Sequence, residues 1–322
     1  MLRIICLFTY LSFSCTIFSQ TKKTVTTSSQ KPPATKPATP PKLLKDLRDS
    51  ASYTAGIHII NKYRSQNIYN FNGAVVAKAC NDLQTNKPPL ISNSDADKAV
   101  LAYQSQLMSD PKKTVKPPVS GVVLNDMRDS ASYAAGIHLI SFFRDFDITN
   151  FNPTIISRAI NDLQTQKKPL LSDSLANMVA MRYQSKLQEV KNKPTIDAGK
   201  KFLAENKKRP GVITTKSGLQ YEILTVGTGK KPTINDKVSC NYIGAYIDGT
   251  EFNNSYQMGG PISFNVNGVI KGWTEALQMM PVGSKWKLYI PYTLGYGPGQ
   301  YQAIPGGSTL VFEIDLLGIV NE

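Results

Sequence analysis

Along the first half of the chain, apolar residues recur every three to four positions, the spacing of one helix face. Leu47, Ala51, Ala55 and Ile59 form such a stripe, and Met127, Ala131, Ala135 and Leu139 repeat it. The pattern predicts a first helix in each of two copies. A second helix is predicted after Asn72 and Asn152, where an Asn side chain would cap free amides and Pro153 suits the first helical turn. A third should follow Pro89 and Pro169, with Ser92 and Ser172 as caps, and run to about Leu107 and Leu187.

The two copies are a true repeat. Residues 46–108 and 126–188 align without a gap, with 33 identities in 63 positions. "DLRDSASYTAGIHII" returns as "DMRDSASYAAGIHLI", and "NDLQTNKPPLIS" as "NDLQTQKKPLLS". Three helices of this size make a core small enough to want a partner.

After the second copy, "KNKPTIDAGKKFLAENKKRPGV" sets Ile196, Ala198, Phe202 and Leu203 among lysines, predicting a connecting helix that ends near Arg209-Pro210. From Gly211 the period becomes two. Val238, Cys240 and Tyr242 alternate, as do Trp286, Leu288 and Ile290, and again Leu310, Phe312, Ile314 and Leu316. These are half-buried antiparallel strands. A short helix from Trp273 to Met280 interrupts them, stopped by "PVG". The fold class is α+β, an all-helical tandem repeat followed by an antiparallel sheet wrapped around a short helix.

The chain has 322 residues, 41% of them hydrophobic, enough for two or three domains. Its start, "MLRIICLFTYLSFSCTIFSQTKK", has Arg3, an apolar run from Ile4 to Phe18 and small or polar residues before Lys22. That reads as a secretory signal peptide cleaved near Ser19, too short in its apolar core for a membrane span. A lipidated Cys15 is the weaker alternative, because Ser12 and Phe13 make a poor lipoprotein signal. The division expected is signal peptide 1–19, Pro/Thr/Lys-rich linker 20–42, helical repeats 43–110 and 123–192 joined by a linker at 111–122, connecting helix 193–210, and sheet domain 211–322.

Cleavage would leave Cys80 and Cys240 of the four cysteines, which make neither a disulfide framework nor a metal site. Cys240 fits a buried strand position. His58 and His138, the two histidines, occupy the same place in the two copies and fit contacts between the modules better than ligands, since no further Cys or His completes a site. The net charge of +14 raises nucleic acid as a partner. Lys22, Lys23, Lys31, Lys36 and Lys42 in the acid-free tail account for much of it, however. A solvated tether is the plainer reading, and nucleic acid is not expected.

A sheet curled over one helix leaves an apolar concavity, for which Tyr242, Phe252, Val269, Ile270, Trp273, Tyr296, Ile304 and Phe312 are candidate linings. Each is equally readable as plain core.

Five segments go further. "GVITTKSGLQYEILTVGTG", "VSCNYIGAYIDGTEFNNS", "VIKGWTEALQMMPVGSKWKLYIP", "LGYG" and "IPGGSTLVFEIDLLGI" resemble, in order, the signatures of an FKBP-type peptidyl-prolyl cis-trans isomerase. The helical half resembles the N-terminal domain of the macrophage infectivity potentiator type, bacterial envelope members of that family. The resemblance implies about five strands around a helix, with no cofactor and no metal. It also implies a substrate's proline ring seated on Trp273, with Tyr242, Phe252, Asn253, Ile270, Trp273 and Tyr296 as the catalytic set and Phe264, Val269, Ile304 and Phe312 binding substrate. The Ile270 amide would bond one substrate carbonyl and the Tyr296 hydroxyl another. Partners implied are proline-containing unfolded or exported polypeptides and macrolide inhibitors. The location implied is the periplasm or envelope, across the inner membrane.

Two departures matter. Relatives carry one helical domain and dimerise through it, whereas two copies here leave homodimer and intrachain pairing both open. The residue after the pocket phenylalanine is usually aspartate, and here it is Asn253. Asn keeps size and one acceptor but loses the charge, so a weaker isomerase is expected. Asn253-Asn254-Ser255 also fits a glycosylation sequon, read as coincidence beside a pocket. The rival function is a holdase chaperone or proline-peptide binding module with little or no isomerase activity.

Overall fold

The computed structural model of the protein describes residues 44–109 and 124–320. The expected signal peptide with Cys15, and both expected linkers, lie outside the described residues.

Each copy forms three helices. In the first they are α1 (Leu47–Arg64), α2 (Gly73–Gln84) and α3 (Asn93–Ser109); in the second, α4 (Met127–Arg144), α5 (Pro153–Gln164) and α6 (Asp173–Lys191). Asp46 and Asp126 cap α1 and α4, accepting the N–H of Asp49 and Asp129 at 2.8 Å. Ser92 and Ser172 cap α3 and α6 as expected, accepting from Asp95 and Leu175. Asn72 accepts from Ala74 N–H, but Asn152 makes no capping bond. Both amides cross to the other copy, Asn72 donating to Asp129 Oδ1 at 2.9 Å and Asn152 to Asp49 Oδ1 at 2.7 Å. At Asn152 that crossing bond is the only one the side chain makes among the described residues, which corrects the expected cap.

The copies exchange helices within one chain. The first helix of each leaves its own module: α1 packs on α5 and α6, and α4 on α2 and α3, while α2 and α5 meet near the centre. Bonds repeat across the pseudo-twofold. Tyr53 donates to Asp162 and Tyr133 to Asp82. The N–H groups of Asn72 and Asn152 donate to Ser132 and Ser52, at 2.8 and 2.7 Å. Gly56 and Gly136 sit where α1 and α4 cross their partners. A Cβ there would lie 2.6 Å from Ala159 and from Ala79 respectively, so only glycine allows this approach. One core therefore draws on both copies, with Val76 and Cys80 packed among Tyr133, Ala134 and Ile137.

Both histidines lie at the contact between copies. His58 stacks on Phe142 at 4.9 Å. His138 lies 2.5 Å from the Tyr63 hydroxyl and 3.2 Å from Asp97 Oδ1. Burial lowers the pKa of both, opposed at His138 by Asp97.

Helix α7 (Lys193–Asn206) connects to the sheet domain. Its buried positions are Ile196, Gly199 and Asn206, with Phe202 and Leu203 half-buried. Ala198, expected in the stripe, is exposed, because the helical period from Ile196 passes through Gly199. Asn206 donates to Gln220 Oε1 at 2.9 Å, and Gln220 to the Leu203 carbonyl. Asn192 donates to the Pro298 carbonyl at 2.8 Å. These bonds fix the helix to the sheet domain at both ends.

Seven antiparallel strands follow: β1 (Ile213–Thr214), β2 (Gln220–Thr225), β3 (Lys237–Tyr246), β4 (Glu251–Asn254), β5 (Ile262–Asn265), β6 (Lys285–Ile290) and β7 (Leu310–Val320). Their order is β1-β2-β6-β7-β3-β4, with β5 sharing the β3 edge. The expected five become seven because β4 and β5 divide one edge of β3 and β1 is only a two-residue pairing. Helix α8 (Lys271–Met279) lies in the concave face, with Trp273, Ala276 and Leu277 buried against Val238, Cys240, Leu288 and Ile314. Cys80 and Cys240 are both buried thiols.

Candidate active site

Period-two alternation aims one face of β3, β6 and β7 at α8. Tyr242 (9% exposed) and Phe312 (4%) arrive from adjacent strands, and Trp273 (4%) from the first turn of α8. Three rings meet the indole edge-on: Tyr242 at 5.2 Å and 83°, Phe312 at 5.3 Å and 88°, and Phe264 from β5 at 5.6 Å and 77°. Such pairings contribute about 0.5–1.5 kcal/mol each beyond burial, and they hold the indole rigidly. Phe252 extends the wall, edge-on to Phe312 at 5.7 Å. Gly244 makes room for that pair, since a Cβ there would come within 2.7 Å of Phe312 and 2.9 Å of Phe252.

Donors sit at the rim. The Ile270 carbonyl is engaged by Trp273 and Thr274 N–H, opening α8, while the Ile270 N–H has no partner among the described residues. Tyr296 lies after the turn Tyr292–Leu294 and stacks on Tyr301 at 4.4 Å and 11°, its hydroxyl likewise without a partner among the described residues. Val269 is half-buried, and Ile304 is 7% exposed. Burial pushes the Tyr242 and Tyr296 hydroxyls above their ordinary pKa, so both stay neutral donors. Tyr242 donates to Asn253 Oδ1 at 3.0 Å. The Trp273 indole N–H is buried without a partner among the described residues.

Nine of the ten residues singled out from sequence belong to the one apolar cluster that contains Trp273, and Asn253 joins it through the Tyr242 hydroxyl. Three supporting residues were missed. Tyr246 packs on Phe252 at 5.0 Å and bonds the Ala303 carbonyl, and its place four residues after Tyr242 on β3 could have revealed it. Tyr301 stacks on Tyr296 from a loop that carries no periodic signal. Buried Ser255 accepts from Tyr242 N–H at 2.9 Å and donates to Asn241 Oδ1, pinning the strand that carries Tyr242. Elsewhere, a cavity of about 330 Å³ lies on the opposite face of the sheet, between Phe202, Arg209, Ile243, Tyr289 and Val311. Of the residues named around the site it shares only Tyr246, whose ring packs on Phe252.

Comparison with known proteins agrees with this geometry. Residues 228–317 match the family described as FKBP-type peptidyl-prolyl cis-trans isomerase, and residues 128–223 match the domain amino terminal to it. Outer membrane protein MIP of Legionella longbeachae is 35% identical over 226 residues, 66% of this chain and 94% of that protein. The FKBP-type isomerase FkpA of Aeromonas hydrophila is 33% identical over 237 residues, 69% of this chain and 87% of that one. The FKBP-type 22 kDa isomerase of Escherichia coli K12 is 38% identical over 194 residues, 59% and 94% of the two chains. Likeness along nearly the whole of such proteins, together with an aromatic site built on α8, places the chain in the FKBP-type peptidyl-prolyl cis-trans isomerase family and makes it a peptidyl-prolyl isomerase.

Proposed function

We propose that this isomerase turns X–Pro bonds by seating the proline ring on Trp273 inside the box of Tyr242, Phe264 and Phe312. An amide resists rotation because resonance makes its C–N bond partly double, with a barrier of about 18–20 kcal/mol. Unaided, the X–Pro exchange takes tens to hundreds of seconds, slow enough to limit folding. The twisted amide has lost resonance and charge separation, so a dry aromatic site favours it over the planar form. The free Ile270 N–H and Tyr296 hydroxyl would hold the flanking carbonyls while the bond turns. Phe252, Val269 and Ile304 would close the site against water.

The observation that carries this reading is the edge-on caging of Trp273 by three rings beneath two unbonded donors. Trp273→Leu should lower kcat/KM on an X–Pro peptide by about tenfold or more, with the circular dichroism unchanged. Wild-type turnover in a folded Trp273→Leu chain would overturn the assignment of this pocket.

We further propose that the enzyme is exported and serves proline-containing polypeptides of the envelope, with the helical pair between Leu44 and Lys191 as a client-holding or scaffolding module. The apolar start of the sequence supports this, as does the name of the MIP relative, an outer membrane protein. No helix among the described residues is long and apolar enough to cross a membrane. Mass spectrometry of the mature N-terminus, with cell fractionation, tests it; an uncleaved cytoplasmic chain would overturn it. The names of the relatives favour isomerase over the holdase alternative, and macrolide inhibitors would compete for the same box.

A further inference from the structure

The frame of the aromatic box carries no formal charge. From Phe252 to Ile270, and again from Leu288 to Phe312, no residue is acidic or basic. The two runs supply every site residue except Tyr242 and Trp273, themselves uncharged. They span 44 positions in a chain with 19% charged residues, where about eight would be expected. The charges bordering the runs largely face elsewhere. Glu251, Lys287 and Glu313 line the cavity on the opposite face of the sheet. Glu251 accepts from Asn254, and Lys287 is paired with Glu313 at 3.1 Å. Lys271, exposed at the start of α8, is the remaining one.

Asn253 completes this neutrality. Its Oδ1 takes the Tyr242 hydroxyl, as a carboxylate oxygen would, while its Nδ2 has no acceptor among the described residues. A carboxylate in that place would present an anion to the residue before proline, repelling an acidic side chain and drawing a basic one. The amide presents a neutral donor.

Resting on the isomerase reading of this pocket, we propose that Asn253 and the uncharged frame make the site indifferent to the charge of the residue before proline. Acidic–proline and basic–proline bonds are then turned alike. Asn253 is a specificity-determining residue here, setting which bonds are accepted rather than performing the rotation.

The test measures kcat/KM for peptides with Glu, Lys or Leu before proline, on the full chain and its Asn253→Asp variant, at low and high salt. The wild type should treat the Glu and Lys peptides within about twofold of each other at both salt levels. In Asn253→Asp, the Glu peptide should fall about five- to tenfold relative to Lys at low salt, and high salt should narrow the gap. A wild-type preference of tenfold or more between Glu and Lys would overturn the proposal alone, since turnover of the Leu peptide would still stand. An unchanged Glu-to-Lys ratio in Asn253→Asp would also overturn it. Absence of turnover on all three peptides would remove the isomerase reading of the pocket and the proposal together.

Discussion

The Tyr133 hydroxyl lies 2.9 Å from Asp82 Oδ2, joining the first helix of one copy to the second helix of the other. The same hydroxyl accepts the Leu90 N–H at 3.1 Å, so one atom ties two elements of the first copy to α4. Asp82 is 4% exposed and also pairs with Lys78 at 3.0 Å. Tyr133→Phe strips the hydroxyl and leaves a buried N–H and part of a buried carboxylate unpaired. The expected loss is about 1–3 kcal/mol in urea unfolding, while turnover of a short prolyl peptide stays at the wild-type value. Loss of turnover at unchanged stability would contradict this separation of roles.

Alkaline pH should weaken the helical pair. Burial pushes Tyr103, Tyr133 and Cys80 up to about 12, and Tyr63 higher still. In the unfolded chain, tyrosine releases its proton near pH 10 and cysteine near pH 8.5. Between those values and about pH 12 the unfolded state binds fewer protons than the native one. Stability therefore falls as pH rises through this window and is fully present below it. The urea midpoint of far-ultraviolet circular dichroism, dominated by helix, should hold level at neutral pH and drop from about pH 8.5 upward through that range. A flat midpoint would show that these groups are free to ionise in the fold.

The elements of the fold were legible because burial imposes a period on the sequence. Val238, Cys240 and Tyr242 had to alternate on β3, and the duplicated stripes had to form helices. Their partners were not legible. The stripe on α1 states that a face is buried, and nothing local says that α5 and α6 of the other copy cover it. Asn72 and Asn152 both looked like caps and only Asn72 is one, and nothing local says that the amide of each donates to a carboxylate of the other copy. The aromatic set of the site could be gathered from the family resemblance, with residues spread from Tyr242 to Phe312. The need for Gly244 between Phe252 and Phe312 appears only when the rings are in place.

Gly244→Ala tests how tightly that wall is drawn. Gly244 pairs in register with Phe312, and the added methyl would press on Phe312 and Phe252 together. Overpacking of this kind costs about 1–3 kcal/mol, and relief requires one of the two rings to swing away from the box. KM for an X–Pro peptide should rise more than kcat falls, because the wall that encloses the proline is displaced while Trp273 remains held by Tyr242 and Phe264. Wild-type kinetics with wild-type stability would show that the sheet absorbs the methyl without moving the rings.

The exchange of helices also predicts the oligomeric state. A single helical module buries its first helix by lending it to a second module, and here that second module follows in the same chain. The faces around Gly56 and Gly136, which would receive another copy, are already filled by Ala159 and Ala79. The full chain should therefore sediment as a monomer. Its thermal midpoint should not change with protein concentration, because mass action stabilises only folds that require a separate partner. Gly136→Val should lower that midpoint, through collision with Ala79 and the Val76 carbonyl, while leaving the chain monomeric. A concentration-dependent midpoint, or a dimer in sedimentation equilibrium, would mean that the copies exchange helices between chains rather than within one.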